Sequence, residues 1–410
     1  MKATLSPLFA LLLSVAFLLM GNGLQGILTP IRANIEEFSA MAIGVLGSAY
    51  FTGSIIGCLV CPHVVKRVGH IRSFAVLAST ASATILFQAL IINTTIWGAL
   101  RVVMGFCFAG LSMVIESWLN DKTNNETRGQ VLSIYTTINL TVITLGQLMM
   151  NWSTPTGTTL FILVSILLSI SILPIALTEA MAPPPILTVK LRFRWLLNTS
   201  IMGCAGCFCA GLANGAFWTI GPVFAQESGM SIQSITIFMS VAVIGGALSQ
   251  WPMGKISDTV DRRKVIGFCC FFAGSMGLAL TLIQGHSVFG MWILVFMFGG
   301  FTFPLYSLSM AHANDSVNRE EFLEVSSGLL LIFGVGAIIG PLLASKLIQH
   351  FGPPALFVFT AVVHGLTGIF AYYRITQRDQ IPPEDRESFV IIPQTSQEVG
   401  LLDPRSEEQL

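Results

Sequence analysis

Charge is what this 410-residue sequence has least of: Asp, Glu, Lys and Arg together make up 10% of it, against about a quarter in soluble domains. A chain so poor in charge cannot clothe itself in hydrated side chains, so lipid or other helices must solvate most of it. Its 21 basic residues equal its 21 acidic ones. That balance provides no positive field for a nucleic-acid partner. No G-x-x-x-x-G-K-(S/T) loop is present, which speaks against nucleotide hydrolysis. HExxH, GxSxG and clusters of His with acidic residues are also missing, so neither an enzyme nor a metal or other cofactor is expected. Cysteines do occur (Cys58, Cys61, Cys107, Cys204, Cys207, Cys209, Cys269 and Cys270), but each lies inside an apolar stretch. Cys58-x-x-Cys61 and Cys204-x-x-Cys207 have redox-like spacings, yet on hydrophobic helices cysteine usually packs as a small apolar residue. No disulfide framework is expected.

What the sequence has instead is apolar length, with 53% hydrophobic residues. A helix needs roughly 20 apolar residues to cross a bilayer, and inside it must satisfy its own backbone. Twelve such runs are expected at 5–29, 41–62, 73–93, 96–117, 129–151, 158–178, 197–225, 232–253, 264–284, 287–310, 325–347 and 353–373. The first continues through Asn22 and Gln25 to Pro30 with no small-residue cleavage site, so it reads as a retained helix. Lys and Arg gather in alternate connections: Lys66, Arg67 and Arg72; Lys122 and Arg128; Lys190, Arg192 and Arg194; Lys255, Arg262, Arg263 and Lys264; Arg319. The positive-inside rule then places both termini in the cytoplasm of a multi-pass inner-membrane protein.

Pro183-Pro184-Pro185 cannot continue a helix. It marks 179–196 as a cytoplasmic linker between a six-helix bundle at 1–178 and another at 197–373. Beyond that, 374–410 is polar and carries Pro382-Pro383, and is expected to be a disordered tail. The two halves resemble each other. Gly110–Trp118 corresponds to Gly300–Leu308, and Gly146-Gln147-Leu148 to Gly340-Pro341-Leu342. Equal orientation of both halves makes these parallel repeats.

The most specific motif runs from Gly254 through Asp258 to Asp261-Arg262-Arg263, between the eighth and ninth spans. With the six-plus-six layout it resembles the major facilitator superfamily, whose G-x-x-x-D-(R/K)-x-G-(R/K)-(R/K) signature occupies this loop. Tyr50-Phe51-Thr52-Gly53, Lys66-Arg67-Val68-Gly69 and Glu116-Ser117 are most similar to the bacterial YcaD-type branch. Aligning the first-half loop on Gly69 puts Pro62 at the signature glycine and Lys66 at its aspartate, so the aspartate role carries over only to Asp258. The resemblance implies an all-α fold of twelve transmembrane helices, two six-helix bundles around a central cavity. It further implies a secondary transporter working by alternating access as a monomer in the bilayer, with a small-molecule substrate and protons as the coupling ion. A uniporter of the same fold and a non-transporting membrane sensor are the alternatives.

Within the spans, Arg101 stands out. Arg101-Val-Val-Met-Gly105 matches the superfamily's R-x-x-x-G pattern, and the equivalent second-half position is read as Phe296. An arginine at a span's centre costs about 2.5–3.5 kcal/mol on insertion scales. It either snorkels to the interface or serves an anionic substrate or a coupling carboxylate. Asn22, Gln25, Gln88, Asn139, Gln147, Asn214, Trp218, Gln250 and Tyr306 are further candidates to line the cavity. Gly254, Asp258, Arg262 and Arg263, with Glu116, Arg128 and Arg67, are expected to form a cytoplasmic latch.

Overall fold

The computed structural model describes residues 2–123, 127–177 and 192–403. Every long element in them is a helix: α1 (Lys2–Ile35), α2 (Ala40–Val68), α3 (His70–Leu90), α4 (Thr94–Asp121), α5 (Arg128–Leu148), α6 (Thr159–Ile170), α7 (Ile172–Ala176), α8 (Phe193–Thr199), α9 (Ile201–Glu227), α10 (Ile232–Thr259), α11 (Arg262–Ile283), α12 (Val288–Thr302), α13 (Pro304–Asn314), α14 (Phe322–Phe351) and α15 (Ala355–Ile375). Among the described residues, twelve helical spans are long and apolar enough to cross a membrane, and each overlaps one of the expected runs, with ends shifted by a few residues in most.

The helix ends follow local chemistry. Asn93 accepts from the N–H groups of Thr95 and Ile96 at 3.0 and 3.1 Å and so starts α4. Ser200, Ser231, Asp261 and Ser287 cap α9, α10, α11 and α12 in the same way, satisfying donors with no partner inside the helix. Gly69 (φ 87°) and Gly352 (φ 78°) follow α2 and α14, in a backbone region that glycine enters without a steric penalty. The sequence reads the tenth span as one helix, but Pro304, lacking an N–H, begins α13 and splits it. The sixth is likewise divided at Ser171, three residues before Pro174.

Contacts divide the chain into two compact units. The first comprises Met1–Phe38, Ala49–Val189 and Pro393–Ser406; the second Ser39–Ser48, Lys190–Ile392 and Glu407–Leu410. In the first, α1 lies along α5, α2 along α4, and α3 along α4 and α6. Glycine permits two of these approaches. A Cβ on Gly23 or Gly146 would run into the backbone carbonyl of Ile143 or Met20, and one on Gly53 or Gly105 into that of Val102 or Tyr50. The second unit repeats the scheme with α9 along α14, α10 along α12, and α11 along α15. There Gly340 faces the Leu212 carbonyl, Gly245 that of Phe296 and Gly299 that of Ala242. Small residues let helix backbones touch where no hydrophobic drive operates between helices.

These crossings fix the register of the repeat. Gly146 and Gly340 occupy matching crossings, in line with the sequence. Gly105 matches Gly299, however, so the counterpart of Arg101 is Val295 rather than Phe296, and Tyr50 corresponds to Ala242. The alignment of Gly110–Trp118 on Gly300–Leu308 is one helical turn out of step. Sequence similarity there is too weak to fix the register, whereas the glycine crossings are specific.

The tail differs from expectation. Pro383–Asp385 and Gln397–Leu402 form 3₁₀ turns, and Ile392, Val399 and Leu402 are at most 2% exposed. Average polarity hid these well-spaced apolar residues, each of which finds a site on a unit. The tail is held by the second unit up to Ile392 and by the first from Pro393. The triple proline and Lys190 of the expected linker lie outside the described residues, as do 404–410. At the linker's end, Arg192 forms a two-pronged bond with Glu324 at 2.7 and 2.6 Å on the surface, where such pairs contribute little.

Candidate functional site

In the first unit, α4 carries both charged residues of interest. The Arg101 guanidinium lies over the Tyr50 ring, 4.5 Å from its centroid, a cation–π contact favoured by desolvation. The R-x-x-x-G spacing explains how. Gly105, one turn after Arg101, brings α4 against the Tyr50 backbone, and the arginine one turn back then spans the ring. No carboxylate pairs with Arg101 among the described residues, and its Nε is buried without a hydrogen-bond partner. The guanidinium is therefore held by a ring face and left with donors to spare. Gly105→Ala should force α2 and α4 apart and lower the melting temperature of the purified protein by several degrees; an unchanged melting curve would show that the crossing yields without cost.

The amide candidates are distributed over several helices. In the first unit, Gln25 on α1, Gln88 on α3, and Asn139 and Gln147 on α5 are all at most 6% exposed, while Asn22 is half-buried. Both polar atoms of Gln25 and the amide nitrogen of Gln88 lack a hydrogen-bond partner among the described residues. Buried polar groups normally have partners, so Gln25 is a strong candidate to meet a ligand. In the second unit, Asn214 on α9 and Gln250 on α10 each keep an unpartnered side-chain oxygen. Trp218 stacks on Phe303 with centroids 5.6 Å apart and planes inclined 7°. Tyr306 is buried edge-on to Phe333 at 5.2 Å. These two aromatics are tied into apolar packing.

The signature motif closes on a residue that sequence reading overlooked. Arg262 grips Asp315 with Nε to Oδ2 at 2.6 Å and Nη2 to Oδ1 at 3.1 Å, and both side chains are at most 2% exposed. Asp258, expected to be the principal aspartate, is farther from Arg262 at 3.3 Å and 22% exposed. It instead accepts from the Phe389 N–H at 2.8 Å. The Phe389 ring occupies the space a side chain at Gly254 would need, so the motif's glycine receives the tail. Arg263 pairs with Asp261 at 2.7 Å and donates to the Arg374 and Arg378 carbonyls. Burial raises the Asp261 carboxyl, but the Arg263 bonds and charge outweigh it and hold it below the usual range. At Asp315 burial wins over Arg262 and the carboxyl stands above its ordinary value. A cavity of about 120 Å³ lies beside these pairs, room for a few waters.

Glu116, expected to join the latch with Arg128 and Arg67, has other partners. It is 0% exposed. Its oxygens accept from the Tyr135 hydroxyl at 3.0 Å and from the hydroxyls of Thr395 and Ser396 in the tail. Arg67 is exposed and takes no part, while Arg128 is buried at the start of α5. Nothing in the pattern of α4 alone pointed to Tyr135, Thr395 or Ser396. Tyr135, at least, was legible as a phenol inside a span, where its O–H needs a partner.

Comparison with known proteins fits this architecture. The chain is 28% identical over 363 residues to the uncharacterized MFS-type transporter YcaD of Escherichia coli O139:H28, covering 87% of this chain and 93% of that protein. It is 27% identical over 361 residues to its Escherichia fergusonii counterpart, with the same coverage. Among solved structures, the nucleoside transporter NupG superposes with a TM-score of 0.75 at 11% identity, covering 89% of this chain and 98% of that one. A bacterial homolog of the human lysosomal transporter Spinster, inward-facing and occupied, gives 0.74 at 16% identity, covering 93% and 98%. The family model of the Major Facilitator Superfamily matches residues 11–194 and 203–404, and the chain belongs to that family of membrane transporters, which are not enzymes.

Proposed function

We propose that the chain is a secondary transporter of a small anionic solute, exposing its binding site alternately to the two sides of the inner membrane. The observation that carries this reading is Arg101, a guanidinium about two helical turns inside the start of the chain's fourth span, stacked on Tyr50 and without a carboxylate among the described residues. Keeping such a charge inside a membrane is costly unless it meets a counter-charge in use. An anion supplies that counter-charge, and Gln25 adds free donor and acceptor groups in the same unit. Protons are the coupling ion in this reading. A facilitator is favoured by one feature: Asn22 and Gln25, rather than an acid, stand in the first span.

Reconstitution into proteoliposomes tests both. Uptake from a panel of organic anions, sugars and cations, with and without an inward proton gradient, should be selective for an anion and faster with the gradient. Gradient-independent anion uptake selects the facilitator, and exclusive uptake of neutral or cationic solutes overturns the anion assignment. Both termini face the cytoplasm in this reading, so cysteines placed at Ser153 and Ser287 should label from outside intact cells.

A further inference from the structure

The tail segment that reaches Glu116 is packed as a core element. Ser396, Gln397, Glu398, Val399, Leu402 and Asp403 are all at most 8% exposed, and the Gln397–Leu402 turn lies on α4 and α5. Thr395 and Ser396 donate one hydroxyl to each Glu116 oxygen, so the tail satisfies a buried carboxylate that also accepts from the Tyr135 hydroxyl. Glu398 brings a second carboxyl into the same patch. Burial first, and the neighbouring Glu116 second, push Glu398 up to about 8. Two negative charges in one dry site repel, and the site is stable only while a proton neutralises one of them.

Among the described residues, the other charged or titratable groups at this end of the unit are few; His70 of α3 bonds Ser117, next to Glu116, at 3.1 Å. Cys58 of α2 lies within the field of Glu116. Tyr135 of α5 donates to Glu116, and Arg128 begins the same helix. On α4, Asp121 pairs with Lys122 at 2.7 Å. Asp403 closes the tail turn. Thr395 and Ser396 are neutral donors, so the proton the seat requires is one held between the Glu116 and Glu398 carboxyls.

We propose that Pro393–Asp403 is a releasable plug, seated on the Glu116 end of α4 and expelled when Glu116 and Glu398 both carry charge. The sign follows from linkage. A carboxyl raised in the seated state stabilises seating fully below the ordinary glutamate range, and the stabilisation is lost as pH rises towards about 8. Release therefore accompanies an alkaline shift. Glu116 lies fifteen residues from Arg101 on one helix, about 22 Å along it. A seated plug thus pins the far end of the helix that bears the anion-binding arginine. That consequence for transport rests on the reading above, but the seat itself does not.

Cysteine labelling tests the seat without a substrate. A single added cysteine, Val399→Cys, is followed with a maleimide in the purified full chain, against the protein without it and against the exposed Gln377→Cys. Thiol ionisation itself varies with pH, so each rate is divided by that of Val399→Cys in a Glu398→Gln background. Between pH 5.5 and 8 this ratio should climb, by up to tenfold per pH unit, and then level. Thr395→Val with Ser396→Ala should speed labelling at pH 6 at least tenfold. A flat ratio overturns the proton switch. Labelling as fast as Gln377→Cys at every pH, or no change on removing both hydroxyls, overturns the seat.

Discussion

Arg101→Ala should weaken binding of the transported anion roughly 10- to 150-fold, the effect of losing about 1.5–3 kcal/mol from a hydrogen bond to a charged group. Arg101→Lys should recover part of that loss. It keeps the charge but gives up both the planar stack on Tyr50 and the two-pronged grip on an anion. Tyr50→Leu provides a separate measure. The ring holds the guanidinium from below at 4.5 Å, so its loss should cost about 1–2 kcal/mol, or roughly 5- to 30-fold in affinity, with the charge intact. Ligand-dependent thermal shifts of the purified variants, using the anion identified by uptake, give these affinities directly. If Arg101→Ala binds as tightly as the parent while Gln25→Ala does not, the arginine is a structural cation and the anion assignment falls with it.

Length and hydropathy were enough to read twelve spans, because a membrane crossing imposes a single-segment rule that needs no partner. The R-x-x-x-G spacing was also legible, since arginine and glycine one turn apart act along one helix. What the sequence concealed were partnerships between distant elements. Asp315 lies 53 residues from Arg262, and Thr395 lies 279 from Glu116. Neither pairing leaves a periodic trace. The tail was misread for a related reason: disorder is judged on average polarity, and a few apolar residues that each find a ready-made site barely alter the average. The register of the internal repeat failed where similarity was faint and was recovered from glycines whose Cβ positions are occupied by a neighbouring backbone.

The same lesson sets the expected rank of the motif's aspartates. Arg262 is 1% exposed and meets Asp315 through two bonds, the shorter 2.6 Å, with the aspartate 2% exposed. Removing one member of so deeply buried a pair leaves a charge without its counter-charge, at a cost of about 3–5 kcal/mol. Asp315→Ala should therefore lower folded yield and melting temperature severely, and Asp315→Asn, which keeps an acceptor, somewhat less. Asp258, at 3.3 Å and 22% exposed, belongs with ordinary surface pairs of about 0–1 kcal/mol, so Asp258→Asn should leave stability nearly unchanged and mainly loosen the tail at Phe389. The double change Arg262→Met with Asp315→Leu isolates the reason: apolar replacement of a buried ion pair is often neutral or stabilising, and it should melt well above Asp315→Ala alone. Equal losses in Asp258→Asn and Asp315→Ala would return the principal role to Asp258, as the signature alone implies, and a double variant no more stable than Asp315→Ala would show that it is the bonds to Arg262, rather than its stranded charge, that hold this end of the second unit.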